Sequence, residues 1–412
     1  MIGDWIMNRK KLQKEGEKWV EDGILTNEQL QSILARYEKK DHSYLLIILA
    51  AILVSISIIV FIFSDWAQIP DVLKIVVMLA IMGVLYGIGY YVYNQNDETD
   101  LEYNRTQIIG MSLIVLGYIT FGATMWLTIS MYNVQIGSAW PFIIWSIVGL
   151  LLYIITPNRY LFSLALLITI YGQLSSGVNF SSFNYIIFII FFVAYFHYAY
   201  HKGNALVHYI FAGGLAIQLI VLSVSEFEQF YWFLLFILAM YTLGLLLPKA
   251  GIQKRFLRVS IITVLFYKIY ETILIQEEYV LRDLHYEPLF FIIHAILFIV
   301  VAFLLWRKSA HDLISLILFL PLIILPYAYL FIIITIFIYS IYWFIYAFQK
   351  REDSKMVLGV FAFGIGTFTV LIQFAWDTIN KSLFFLIAGI ILFLISGIYE
   401  RRRRKEKKGG AK

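Results

Sequence analysis

The chain has 412 residues, of which 61% are hydrophobic and 14% charged, with a mean hydropathy of +0.80 and a formal net charge of +5. This balance lies far from that of soluble domains and reads as an all-α, polytopic membrane protein. There is no cysteine, which excludes disulfides, thiolate metal sites, cysteine nucleophiles and S-acylation.

The first forty residues carry charges throughout and lack the apolar core of a signal peptide, so the N-terminus is expected to stay in the cytoplasm. Within them, "WVEDGILTNEQLQSILARYEKK" (residues 19 to 40) predicts a short αα-hairpin. Asp4 can cap a first helix in which Trp5, Leu12 and Trp19 recur at heptad spacing, and Gly23 supplies the positive φ that ends it. Thr26 and Gln29 form a capping box for a second helix with Leu30, Ile33, Leu34 and Tyr37 on one apolar stripe. Some forty residues bury too little surface to be stable alone. The stripe and Trp19 are therefore expected to dock on the membrane domain, the lipid interface, a second copy or a protein partner. The division that follows is a cytoplasmic hairpin (1–43), a multi-span membrane domain (44–399) and a basic cytoplasmic tail (400–412).

A bilayer crossing takes roughly 20 apolar residues, and about fourteen segments qualify: 44–64, 71–93, 106–128, 138–156, 160–177, 183–201, 204–225, 229–247, 256–276, 288–306, 311–327, 328–348, 356–375 and 382–399. Starting inside, the N-terminal tail and the C-terminal tail hold 8 Lys+Arg each and the six short inner loops with their interfaces hold 12. Only Lys74, Lys268, Arg282 and Lys381 remain elsewhere, so 28 of 32 basic residues fall on one side. That distribution puts both termini in the cytoplasm. The apolar run 313–348 would reach about 54 Å as one straight helix. Pro321 is expected to kink it, and Pro326 with Tyr327 and Ala328 to turn it, giving two spans. The short outer loops are acidic, with Asp65, Asp71, Glu226, Glu287 and Asp377 among them. They read as a solvated face rather than a cation vestibule. In "SDWAQIP", Trp66 suits the interface, Pro70 starts a helix, and Asp71 favours the positive end of that helix and pairs with Lys74.

The hairpin with Trp19, Gly23 and Thr26, the first span ending in "FSDWAQIP", and "GYITFGATMWLTISMYN" leading to "SAWPFIIW" resemble the bacterial membrane-protein family filed as domain of unknown function 2157. The resemblance spans about residues 10 to 160. It implies a bacterial inner membrane and brings no activity, substrate or catalytic residue. Where that family's pattern often has a Gln before the Ile/Met-Tyr pair, this chain has Ser130.

Ionisable groups at membrane depth are costly and mark function or a packed pair. Lys268 and Glu271 in "FYKIYETI" are three apart and share a helix face, about 15 Å in from Arg258. The pair can bind an anion, relay a proton, gate a cavity or fix packing. His294 in the next span is a candidate partner for Glu271. His197 and His201 stand at the i, i+4 spacing of metal ligands, with His208 nearby, but no H-E-x-x-H accompanies them, so they read as interfacial side chains and no metal or other cofactor is expected. Gln173, Gln218 and Gln373 lie inside spans and suit interhelical hydrogen bonds. No P-loop, G-x-S-x-G or zinc-hydrolase motif is present, so neither ATP hydrolysis nor any other enzyme activity is expected. The "RRRRKEKKGGAK" tail suits anionic lipid headgroups rather than nucleic acid. Two functions follow: secondary transport or flipping of a small solute, lipid or lipid-linked molecule through a path at Lys268, Glu271 and His294, or a membrane scaffold that recruits a partner through residues 1–43.

Overall fold

The computed structural model describes residues 69–94, 105–227, 229–275, 283–308, 310–350 and 352–371, with single positions or short pieces at 16–17, 19–20, 23, 25–30, 53–54, 57, 277, 373 and 390. The expected spans 44–64 and 382–399 lie almost wholly outside these residues, as do Asp4, Trp5, Leu12, Ile33, Leu34, Tyr37 and the basic tail. Among the described residues there is helix and no strand, and the all-α membrane architecture holds. Among the described residues six helices are long and apolar enough to cross a membrane, and three further apolar helices are shorter. The remaining expected spans in this region coincide with helices that are shorter, more polar or broken. The chain divides into two compact units, residues 1–134 and 135–412.

In the first unit, the hairpin's local chemistry is as the sequence predicts. Gly23 has φ 71°. The Thr26 amide donates to Gln29 Oε1 at 3.0 Å and the Gln29 amide to Thr26 Oγ1 at 3.3 Å, which satisfies two amides that the first helical turn leaves open. Leu30 is buried against Trp19 and Val20, over Gly16. Two members of the expected docking set thus face each other inside the hairpin. Thr26→Ala should cost about 1 kcal/mol locally, seen as faster amide exchange at residues 27–30 in the full chain with exchange in the membrane helices unchanged.

Two long helices complete this unit: α1 (Asp71–Asn94) begins directly after Pro70, with Lys74 3.0 Å from Asp71, and α2 (Arg105–Met131) follows. Small residues line the seam between them. A Cβ on Gly110 would lie 2.6 Å from the Tyr93 amide nitrogen and 2.9 Å from Gly89 O, so the two backbones nearly touch. Thr120, Thr124 and Thr128, the polar residues of "GYITFGATMWLT", each donate to the carbonyl four residues earlier at 2.7–2.8 Å. The motif's hydroxyls are thereby satisfied within their own helix.

The second unit begins with α3 (Trp140–Ile155) and α4 (Arg159–Phe180), then α5 (Tyr185–Ile190), which runs through a π-helical turn (Phe191–Tyr195) into α6 (Phe196–Lys202). Next come α7 (Ala205–Glu226), α8 (Trp232–Leu246), α9 (Ala250–Leu274) and α10 (Pro288–Lys308). Asn158, Asn184 and Asn204 cap α4, α5 and α7 by accepting backbone N–H groups of the first turn. Gln173, fully buried on α4, lies against the next element: with its side-chain amide turned so that oxygen and nitrogen exchange places, it pairs reciprocally with the Asn184 backbone at 3.1 and 3.2 Å.

The run 313–348 breaks where the prolines predict, yet its first half is not α-helical. Ala310–Phe319 is a 3₁₀ helix of ten residues, Pro321 interrupts it, Leu322–Ile324 is a further 3₁₀ turn, and Tyr327 takes φ 58° before α11 (Ala328–Lys350). The expected span 311–327 is thus corrected to a broken 3₁₀ segment. A 3₁₀ run normally ends after three or four residues, so outside contacts must hold this one. The last described helix is α12 (Asp353–Val370). Helix α9 packs against α7, α8, the 3₁₀ helix, α11 and α12. It is the most polar of these, carrying Lys254, Arg255, Arg258, Lys268 and Glu271.

Candidate functional site

Lys268 and Glu271 lie on the buried face of α9, where the i, i+3 spacing brings Lys268 Nζ within 2.7 Å of Glu271 Oε2. Both side chains are 0% exposed. The ammonium also donates to Leu320 O at 3.0 Å, fifty-two residues away in sequence and just before Pro321. His294 on α10, 2% exposed, places Nε2 2.9 Å from Phe319 O, so this nitrogen carries the hydrogen. Sequence reasoning pairs His294 with Glu271; the structure brings both to one cluster, but the histidine's bond goes to the broken span instead.

The arrangement has one physical logic. A helix end leaves carbonyls without intrahelical partners and carries partial negative charge. Here the 3₁₀ helix ends in the apolar interior because Pro321 has no N–H to continue it; an N–H from α10 takes up Phe319 O, and a cation from α9 joins the Leu322 amide on Leu320 O. At its other end the same helix is tied by Asp312, 2.6 Å from Lys355 Nζ, which itself lies 3.9 Å from the centroid of the Trp343 ring.

Three polar atoms around the pair are buried without a hydrogen-bond partner: Glu271 Oε1, His294 Nδ1 and Tyr267 OH. An acceptor left bare in an apolar interior costs free energy that a proton, a donor or a water would recover. Aromatic layers close the cluster on both sides. Tyr231, Trp232, Leu235, Phe290 and Ile323 form one, at the first turns of α8 and α10. Tyr241, Phe319, Tyr339 and Trp343 belong to the other. The loop beyond the first layer is fastened to it: Trp232 Nε1 donates to Glu287 Oε2 at 3.2 Å, the Glu287 amide to Tyr231 OH at 3.0 Å, and Tyr231 OH to His285 O at 2.9 Å. Glu287 and likewise Glu226, which accepts from the Phe183 amide at 3.2 Å, are used in holding loops together.

The histidines near the basic end do not assemble a metal site; among the described residues no group of three suitable ligands occurs. His197 and His201 stack with ring centroids 4.4 Å apart, and His201 Nδ1 lies 2.8 Å from His197 O. His208 places Nε2 2.9 Å from Ala199 O and Nδ1 2.9 Å from Arg255 Nη1. A guanidinium only donates, so Nδ1 accepts and His208 is the neutral Nε2–H tautomer with both nitrogens engaged.

Sequence reasoning finds the Lys268–Glu271 pair but misses the carbonyls of Phe319 and Leu320. The available signal is Pro321 itself, because a proline breaks a helix inside a buried apolar run and the carbonyls at the break must find partners elsewhere.

Residues 17–162 match the model of a family described as predicted membrane protein (DUF2157). The match takes in the described part of the hairpin, α1, α2 and α3, and ends before Lys268. No curated protein and no solved structure matches the chain.

Proposed function

We propose that this membrane protein is a secondary transporter or flippase for a small solute, lipid or lipid-linked molecule, rather than an enzyme. The broken span Ala310–Ile324 is its moving element, with Lys268, Glu271 and His294 as the latch. One observation carries the reading: a discontinuous apolar segment ends in the buried interior with its last carbonyls held by side chains of two other helices. Interrupted helices with paired charges at their ends are how transporters build sites inside the bilayer. The distribution of basic residues supports cytoplasmic placement of both termini, and the match to the membrane-protein family supports a bacterial inner membrane.

The latch supplies a coupling step. A proton reaching Glu271 cancels its charge and leaves Lys268 as an unpaired cation in an apolar interior, which is strongly unfavourable. The ammonium then drives toward any arrangement offering water or an anionic substrate, and Leu320 O is released. The 3₁₀ helix converts that release into displacement: ten residues span about 20 Å as 3₁₀ and about 15 Å as α, so rewinding shortens the segment by about 5 Å. With both aromatic layers sealed over the pair, the fold is in its closed form.

The natural lack of cysteine makes the test direct. Val264 and Thr272 each lie one turn from Lys268 on the same buried face and are 0% exposed. Single Val264→Cys and Thr272→Cys proteins should each react with a membrane-impermeant thiol reagent, from the outer face in cells and from the cytoplasmic face in inverted vesicles. Protection from both faces in folded protein would make the pair a packing element. It would shift the reading to a scaffold that acts through the hairpin.

A further inference from the structure

We propose that the crevice bounded by the π-helical turn with α6, α7, α8 and the start of α9 is a binding site for one anionic diacyl phospholipid of the leaflet on the basic side. One acyl chain lies in the crevice and the phosphate rests on Lys249. The site is separate from the Lys268 latch and stands whether or not any solute is moved.

The crevice has a volume of about 120 Å³ and is lined by apolar side chains, among them Phe192, Phe196, Phe211, Leu243, Leu246 and Phe256. Leu246 is 60% and Leu243 41% exposed at its rim, so it opens on the lipid-facing surface. Two of the lining rings, Phe192 and Phe196, are the middle of a ladder that continues beyond the crevice at both ends: Phe188 to Phe192 at 5.8 Å, Phe192 to Phe196 at 5.7 Å and Phe196 to Tyr200 at 5.9 Å between centroids. In an unbroken α-helix each step of four residues drifts by about 40° around the axis. The π turn Phe191–Tyr195, with its wider i→i+5 winding, drifts the other way. Inserted at this point, it keeps the four rings on one strip running toward the basic end, a track along which an acyl chain can lie.

At the end of the track sits a cation. Lys249 Nζ lies 4.4 Å from the centroid of the Tyr200 ring and donates to Tyr200 O at 2.8 Å. This fixes an exposed ammonium at the crevice mouth with one of its three N–H donors spent. The two stretches that meet here, 197–208 and 247–258, contain Lys202, Lys249, Lys254, Arg255 and Arg258 and no Asp or Glu. Apolar track and uncompensated positive charge together select an amphiphile with an anionic head. A zwitterionic lipid would fill the track without answering the charge, and a free phosphate would answer the charge without filling the track.

Native mass spectrometry of the purified full chain, offered equal amounts of dioleoyl phosphatidylglycerol and dioleoyl phosphatidylcholine, tests this. The intact protein should retain the anionic lipid about tenfold over the zwitterionic one. Lys249→Gln should bring the two near parity, Lys249→Arg should keep the preference, and glycerol phosphate should fail to displace the bound lipid. Equal retention of both lipids by the unaltered protein, an unchanged preference in a folded Lys249→Gln, or displacement by glycerol phosphate would each overturn the proposal.

Discussion

Replacing Lys268 with methionine is expected to destabilise the folded chain by about 3–5 kcal/mol, the cost of breaking a buried ion pair from one side. Glu271 would lose its counter-charge, with Oε2 newly bare and Oε1 already without a partner, and Leu320 O would keep only the Leu322 amide. The double variant Lys268→Met, Glu271→Leu should recover most of that loss. Its side chains approximate the volumes removed, and the neighbours Val264, Leu265 and Tyr267 are apolar and buried. Denaturant titration in mild detergent measures both. The double variant then separates stability from function. Built into the Val264→Cys protein, it should fold and yet react from neither face, because the charges that drive the latch are gone. A folded double variant that still reacts from both faces would show that the pair only fixes packing.

What the sequence reveals of this site follows the range of the interactions involved. The Lys268–Glu271 contact is legible because i, i+3 neighbours on a helix meet whatever else the fold does. The break near Pro321 is legible for a similar reason: a missing N–H acts within one turn. The 3₁₀ form of Ala310–Phe319 is not, since the short run Leu313–Phe319, apolar except for Ser315, shows no period that separates one helix type from another. Its geometry depends on the capture of Phe319 O and Leu320 O by residues 25 and 52 positions away. His294 stands out as a buried ionisable group but is given the wrong partner, because pairing charges ignores backbone carbonyls as acceptors. The caps Asn158, Asn184 and Asn204 do not emerge from the search for spans, although an Asn directly before an apolar run is a helix-start signal in its own right. In the hairpin, Thr26, Gln29 and Gly23 behave as predicted because caps and positive φ are local.

Gly110→Leu is expected to disrupt the packing of α2 on α1, and Gly110→Ala to weaken it by about 1–3 kcal/mol, the usual cost of overpacking. The atoms that a new Cβ would meet are Tyr93 N at 2.6 Å, Tyr93 Cα at 2.9 Å and Gly89 O at 2.9 Å, all backbone, so no side-chain rotation relieves the overlap. Among the described residues little else holds α1, with only 11% of its apolar stretch buried. In a bilayer the lipid tails are as apolar as the helices, so close backbone approach between small residues must supply the attraction that water-driven burial supplies elsewhere. Gly83 and Gly87, on the same helix α1, have no described atom within 4 Å of where a Cβ would stand, and serve as controls. Gly83→Ala and Gly87→Ala should leave the melting point of the detergent-solubilised protein unchanged or slightly raised, because alanine is the better helix former. Gly110→Ala should lower it, and Gly110→Leu should lower it further with loss of a monodisperse elution profile. Equal melting points for Gly87→Ala and Gly110→Ala would mean that the seam through Gly89 and Gly110 does not hold these two helices together.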